Sequence, residues 1–182
     1  EDTILLYLLN NLNFIKNIEE NIILTNLDIE KKIERISLQI LESNSDEKKI
    51  IFFGISDNGI LIAKKIINLI KKNSNLDVEL FKASIKKSEK VSSIKYDKPF
   101  DINNIPILIV DDISQSGKTL QFVISDLFKF NPRKIQTIVI VNRDQTLFPV
   151  KIDYSGISLS TSVNEHVSFI KDKNDKVTIY LN

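Results

Sequence analysis

Asp111 and Asp112 stand side by side, and hydroxyls follow them closely: Ser114, Ser116 and Thr119, with Gln115, Gly117 and Lys118 between. Hydroxyls donate to phosphate oxygens, a glycine lets the backbone come close, and a helix starting here would add unpaired N–H groups with a partial positive charge. The chemistry expected is that of a phosphate cradle. Two carboxylates beside a phosphate are costly unless a polyol or a cation shares the site; ribose hydroxyls or a bound Mg²⁺ would relieve the repulsion. Gly-Lys-Thr also closes the nucleotide-triphosphate P-loop, but that motif needs a glycine five positions before its Gly-Lys pair, where this chain has Asp112. That reading fails. An ordinary strand-to-helix turn, with Ser and Thr merely capping the helix, is the remaining competitor. Capping alone has no use for tandem carboxylates at the end of an apolar strand.

These residues are useful only if something holds them. Pro106 to Val110 is short, apolar and rich in β-branched residues, which predicts a strand buried on both faces. From Thr119 onward, Leu120, Val123, Ile124, Leu127 and Phe128 recur at helical spacing. The loop therefore lies at the carboxyl end of a buried strand, where open α/β sheets place their ligands. Upstream, Ile22 to Leu24 suits a short edge strand, and Thr25 with Asp28 makes a capping-box-like start for a helix through Glu42. Lys49 to Gly54 reads as the first core strand, Gly59 to Lys72 as a helix and Val78 to Ile85 as a second strand. The polar, lysine-rich stretch Lys86 to Asn104 is expected to be a mobile loop with some hairpin character. Ile135 to Val141 and Ile152 to Ile157 read as further strands, and Val167 to Ile170 with Val177 to Leu181 as a terminal hairpin. Strands alternating with helices give an α/β fold with a largely parallel central sheet flanked by helices.

Asp111-Asp-Ile-Ser-Gln-Ser-Gly-Lys-Thr119 resembles the signature of the type I phosphoribosyltransferases, in which two acidic residues precede a hydroxyl-rich loop ending in Gly-(Arg/Lys)-Thr. Val141-Asn-Arg-Asp, Phe148-Pro-Val-Lys-Ile-Asp-Tyr-Ser-Gly156 and Leu159-Ser-Thr-Ser162 resemble the same region of the bifunctional pyrimidine-operon regulator and uracil phosphoribosyltransferase group. Ile29 to Glu42 and Ile51-Phe-Phe-Gly-Ile-Ser-Asp-Asn-Gly59 fit that group's first helix, first core strand and pyrophosphate loop. The resemblance covers about residues 22 to 182 and leaves residues 1–21 as an N-terminal extension of loosely helical pattern.

The resemblance implies a type I phosphoribosyltransferase-like domain with a small hood and a C-terminal hairpin. It also implies Mg²⁺-dependent transfer from 5-phosphoribosyl 1-pyrophosphate (PRPP) to a nucleobase, a pyrimidine such as uracil being favoured. Asp111 and Asp112 would be catalytic, at the ribose hydroxyls, and would hold the metal directly or through water. Ser114, Gln115, Ser116, Gly117, Lys118 and Thr119 would bind the 5-phosphate. Ser56, Asp57, Asn58, Gly59 and Lys87 would take the pyrophosphate, and Arg143, Thr161, Ser162 and Val163 would face the base. A homo-oligomer, commonly a dimer, is implied as well. The group often has basic side chains in its pyrophosphate loop and an arginine in its flexible loop; this chain has Ser56, Asp57 and Asn58 in the first place. In the second it has Lys86 and Lys87, point charges without a bidentate fork. The phosphate site is intact and the leaving-group site is altered. Two alternatives follow: a PRPP- or nucleotide-sensing regulator that binds pyrimidine-operon RNA, and a degenerate member that binds without turnover.

Composition narrows the classes. A chain of 182 residues allows one domain with a sizeable core. Its formal charge of +1 gives no global field for nucleic acid, so the RNA reading ranks below the enzyme. There is no cysteine, hence no disulfide, thiolate nucleophile or cysteine metal site, and a cytoplasmic protein is expected. No apolar run is long enough to span a bilayer, and the acidic first residues do not read as a secretory signal. His166, the only histidine, is expected at the surface rather than as a base. Tyr154 suits core packing as well as stacking on a base, and Arg143 suits an ion pair with Asp144 or Asp153 as well as a ligand contact.

Overall fold

The structure, a computed structural model, describes residues 21–86, 93–144, 146–160 and 165–181. They form two units, one made of the described residues of 30–161 and the other of those up to 29 and from 162 onward.

In chain order the elements are β1 (Ile22–Leu24), α1 (Asn26–Ser43), β2 (Lys49–Ile55), α2 (Ser56–Asn73), β3 (Asp77–Lys86), β4 (Ser93–Tyr96) and β5 (Pro106–Ser114). Then come α3 (Lys118–Leu127), a short 3₁₀ turn (Phe128–Phe130), β6 (Lys134–Arg143), β7 (Tyr154–Leu159), β8 (Val167–Lys171) and β9 (Val177–Leu181). The larger unit holds a six-stranded sheet of order β4-β3-β2-β5-β6-β7, parallel throughout except for the antiparallel edge strand β4. The α/β fold with a largely parallel sheet is as expected.

The central strands are buried on both faces, as their apolar runs require: Ile50 to Phe53, Ile107 to Val110 and Ile138 to Val141 are all buried. Ile51, Phe53, Ile107 and Ile109 pack in one cluster with Leu120, Val123 and Leu127 of α3. Each fully buried isoleucine contributes about 1.5–3 kcal/mol. The strand that carries the carboxylates is therefore held by a core to which they add nothing. On the edge strand β7, the Arg35 guanidinium of α1 donates to the carbonyls of Ser155 (2.7 Å) and Gly156 (3.0 Å).

Three boundaries differ from the sequence reading. β5 runs beyond Val110 to Ser114, so Asp111 and Asp112 lie within the strand rather than just after it. α2 begins at Ser56, directly after β2, so Ser56 to Gly59 are its first turn and not an open loop. The stretch expected to be a mobile loop is partly packed. Within it β4 pairs with β3, Ile102 is fully buried, and Phe100 meets Phe53 at 5.1 Å and Tyr96 at 4.7 Å between ring centroids.

In the smaller unit, β1 pairs antiparallel with β9 and β9 with β8. The hairpin expected at 167–181 is present, its turn closed by Asp172, whose Oδ1 accepts from the N–H groups of Asn174 (2.7 Å) and Lys176 (2.9 Å). The capping box is also present. The Thr25 N–H donates to Asp28 Oδ2 at 3.0 Å and the Asp28 N–H donates to Thr25 Oγ1 at 3.3 Å. His166 is exposed.

Candidate active site

The loop after β5 is shaped by its own residues. Gly117 has φ +77°, and a Cβ there would lie 3.2 Å from the Phe148 carbonyl oxygen, so both the backbone conformation and the space demand glycine. Its carbonyl accepts the first bond of α3, from the Gln121 N–H at 2.9 Å. The Ser116 Oγ accepts from the Lys118 N–H at 3.3 Å, and the Ser116 carbonyl accepts from the N–H groups of Leu147 (3.0 Å) and Phe148 (3.1 Å). The loop is thus clasped from outside and curls around a cleft of about 200 Å³ lined by residues from Asp111 to Leu120. Ser114 is buried and its Oγ has no hydrogen-bond partner. A buried hydroxyl in that state wants a ligand or water oxygen.

Beside it, over the carboxyl ends of β2, β3 and β5, lies a second cleft of about 470 Å³ lined in part by Ser56, Asp57, Lys82, Asp111, Asp112 and Thr119. Asp111, Ile113 and Thr119 belong to both clefts, so one extended ligand can lie across the acidic pair.

The pair is electrostatically unequal. Asp111 is only 7% exposed. Burial, and next the neighbouring Asp112 carboxylate, push its carboxyl well above the usual carboxylate range. Its Oδ1 accepts from the Asp112 N–H at 3.0 Å. Asp112 is oriented from both ends: its Oδ1 accepts from the Ile113 N–H (2.8 Å) and its Oδ2 from the Asn58 side-chain amide (2.6 Å). Such an arrangement attracts hydroxyl donors or a cation, which would offset the cost of ionising Asp111.

The sequence candidates fall out as follows. Asp111, Asp112 and Ser114 to Thr119 come together at the two clefts. Asn58 reaches Asp112, and Ser56 lines the larger cleft in a strained left-handed conformation (φ 59°). Gly59 is buried in the first turn of α2, where a Cβ would come 2.4 Å from the Val110 carbonyl oxygen; there it serves close helix–strand packing. Arg143 ends β6 and is 3% exposed. Of its two expected acidic partners, Asp144 accepts from the Ser160 hydroxyl at 3.0 Å, and Asp153 is bound by Lys151 and the Thr137 N–H. Tyr154 is buried, its hydroxyl accepting from the Gln136 amide at 2.7 Å, which is the core role. Lys87, Thr161, Ser162 and Val163 lie outside the described residues.

Lys82 was missed by the sequence reading. Its ammonium pairs with Asp57 at the larger cleft. The signal available was register: parallel pairing of β2 and β3 sets Lys82 opposite Gly54, beside the start of α2.

Comparison with known proteins decides the class. The model of the phosphoribosyl transferase domain matches residues 20–173. The chain belongs to the phosphoribosyltransferase family. Among curated relatives, the bifunctional protein PyrR of Streptococcus thermophilus is 29% identical over 167 residues, covering 86% of this chain and 95% of its own. That of Streptococcus mutans is 29% identical over 149 residues, covering 80% and 85%. Among solved structures, the hypoxanthine phosphoribosyltransferase of Trypanosoma cruzi in complex with the product IMP superposes with a TM-score of 0.75 at 16% identity, over 90% of this chain and 94% of that one. The hypoxanthine-guanine phosphoribosyltransferase of Bacillus anthracis gives a TM-score of 0.73 at 18% identity, over 89% and 98%. The protein is thus a phosphoribosyltransferase enzyme with the fold of the type I group. Among the described residues no helix is long and apolar enough to cross a membrane.

Proposed function

We propose that this phosphoribosyltransferase moves the phosphoribosyl group of PRPP to a nucleobase, a pyrimidine such as uracil, and releases pyrophosphate, acting in the cytoplasm as a homodimer. The observation that carries the reading is the junction of the two clefts at Asp111 and Thr119, with a phosphate-shaped loop on one side and a charged cleft on the other. The anomeric C–O bond to pyrophosphate breaks, a base nitrogen forms the new C–N bond, and positive charge develops on the ribose ring between. Catalysis of this kind is mostly positioning and electrostatics. Ser114 to Thr119 and the start of α3 hold the 5-phosphate, while Asp111 and Asp112 accept from the ribose hydroxyls and face the developing cation.

The donor set fits Mg²⁺: two adjacent carboxylates, oxygen only, one of them buried at a cost that a cation would relieve. Among the described residues no group of three or more His, Cys, Asp or Glu gathers around one point, so the pair would supply part of a shell completed by substrate oxygens and water. Bound there, the metal would neutralise the leaving diphosphate. PyrR is named bifunctional in the Streptococcus relatives, which motivates a second activity, binding of pyrimidine-leader RNA. Filter binding at two salt concentrations reads it, since phosphate contacts give a steep salt dependence.

The test of the main reading is titration of the protein with PRPP, with and without Mg²⁺, followed by a nucleobase panel assayed for pyrophosphate release. Mg²⁺-dependent binding with release on one base is expected. Absence of PRPP binding removes the assignment of the Asp111–Thr119 loop.

A further inference from the structure

We propose that Lys82 is the cation that receives the diphosphate of the substrate, and that Asp57 is an internal anion which occupies that cation until the diphosphate arrives. The inference rests on the larger cleft being the leaving-group site, as argued above. Among the described residues that line this cleft, Lys82 is the only basic one, against the carboxylates of Asp57, Asp111 and Asp112. Among those residues a diphosphate has one ammonium to meet, and that ammonium is paired with Asp57.

The anchoring of Lys82 is firm. Its N–H donates to Asp97 Oδ1 at 2.9 Å, and its carbonyl accepts from the Asp97 N–H at 3.2 Å. The Asp57 side chain is 85% exposed, against 35% for that of Lys82. An ion pair of such exposure is weak and easily exchanged for a more highly charged anion. Asp57 also lies in the first turn of α2, which has no side-chain cap, where the partial positive charge of the helix end favours an anion. One carboxylate thus sits at the two positive features that a diphosphate needs. The basic charge absent from 56–58 is supplied from the neighbouring strand, and the acidic residue among them acts as a stand-in for the ligand.

The experiment uses the full chain and three probes: inorganic pyrophosphate with Mg²⁺, PRPP with Mg²⁺, and ribose 5-phosphate, each titrated calorimetrically. Lys82→Ala is expected to weaken pyrophosphate and PRPP about tenfold or more, and Lys82→Arg to restore most of the loss. Asp57→Asn is expected to tighten pyrophosphate about threefold or more, since the competitor is gone. In the double variant the gain from Asp57→Asn should vanish, because it acts through Lys82. Ribose 5-phosphate should bind all variants alike. If the wild-type chain binds ribose 5-phosphate but neither pyrophosphate nor PRPP with Mg²⁺, the leaving-group reading of the cleft fails. If it binds them and Lys82→Ala binds equally well, the role of Lys82 is overturned while that reading stands. If Asp57→Asn weakens pyrophosphate instead, Asp57 holds the ligand rather than competing with it, and that half of the proposal is wrong.

Discussion

The 5-phosphate loop and the leaving-group cleft share Asp111 and Thr119 but are built on different principles. The loop is one continuous stretch: its whole lining comes from residues between Asp111 and Leu120, shaped by the left-handed Gly117 and the capping contact of Ser116. The cleft is assembled from β2, α2, β3, β5 and α3, and its geometry depends on strand register and on the close approach of α2 at Gly59. A locally built site is vulnerable to a single residue. An assembled one lets a charge move from one element to another while the cleft keeps its character, which is why Ser56, Asp57 and Asn58 do not by themselves make the site uncharged.

The hardest test of that contrast is the pair where the two sites meet. Replacing both Asp111 and Asp112 with Asn should lower turnover by about 10³-fold, the scale of losing preorganised electrostatic groups, while circular dichroism stays native. Full activity in the double variant would falsify the catalytic assignment of the pair. Next in size is Gly117→Ala. A side chain at positive φ costs about 1–3 kcal/mol, and here the Phe148 carbonyl also stands 3.2 Å from the new Cβ. Ribose 5-phosphate affinity should fall roughly 10- to 100-fold, with pyrophosphate affinity unchanged. This is the mirror image of Lys82→Ala. Equal losses of both ligands would mean that the two sites are one mechanical unit and that the contrast is empty.

The same contrast governs what could be read from sequence. The strand, the hydroxyl loop and the helix after it were legible because spacing within one segment encodes them, and so were the Thr25–Asp28 box and the hairpin closed by Asp172. Ser56 to Asn58 were placed before the helix, which was expected to start at Gly59, whereas it starts at Ser56. What makes them helical is tertiary: Gly59 lies under the Val110 carbonyl, and Asn58 is tied to Asp112. Lys82 was invisible for a related reason. On an alternating strand it looks like any solvent-facing lysine, and only the pairing of β3 with β2 puts it beside α2. Tyr96 and Phe100 were lost inside a lysine-rich stretch, although Phe53 and Phe81 gather around Phe100 and the Tyr96 hydroxyl donates to Asp126 at 2.9 Å.

Asn58 of α2 holds a carboxylate of β5 that lines the assembled cleft and not the loop, so it sharpens the comparison. Its amide holds Asp112 Oδ2 at 2.6 Å. A hydrogen bond to a charged group is worth about 1.5–3 kcal/mol, and Asp112 keeps its second anchor, the Ile113 N–H. Asn58→Ala should therefore reduce kcat by about tenfold, with little change in melting temperature or in ribose 5-phosphate binding. A fall in ribose 5-phosphate affinity as large as that from Gly117→Ala would show that the loop is not self-sufficient.

The smallest effect concerns stability alone. Burial and the Asp112 carboxylate raise the Asp111 carboxyl well above its ordinary range in the folded chain. In the unfolded chain an aspartate titrates near about 3.9. Between that value and the raised folded value, the native state binds more protons than the unfolded state, so stability must fall as pH rises through this window. Above the folded value the contribution is constant and unfavourable; below about pH 3.9 it vanishes. Asp111→Asn keeps an acceptor for the Asp112 N–H, removes the charge, and should therefore melt higher than wild type at neutral pH while losing activity. Melting curves of both chains from pH 3 upward (a range chosen to begin below about 3.9) decide it. The difference should grow from near zero at the acid end to a plateau. A constant difference across the range would mean that Asp111 binds its proton equally well in the folded and unfolded chains, and that the cost of its burial is met by groups other than a substrate hydroxyl or a cation.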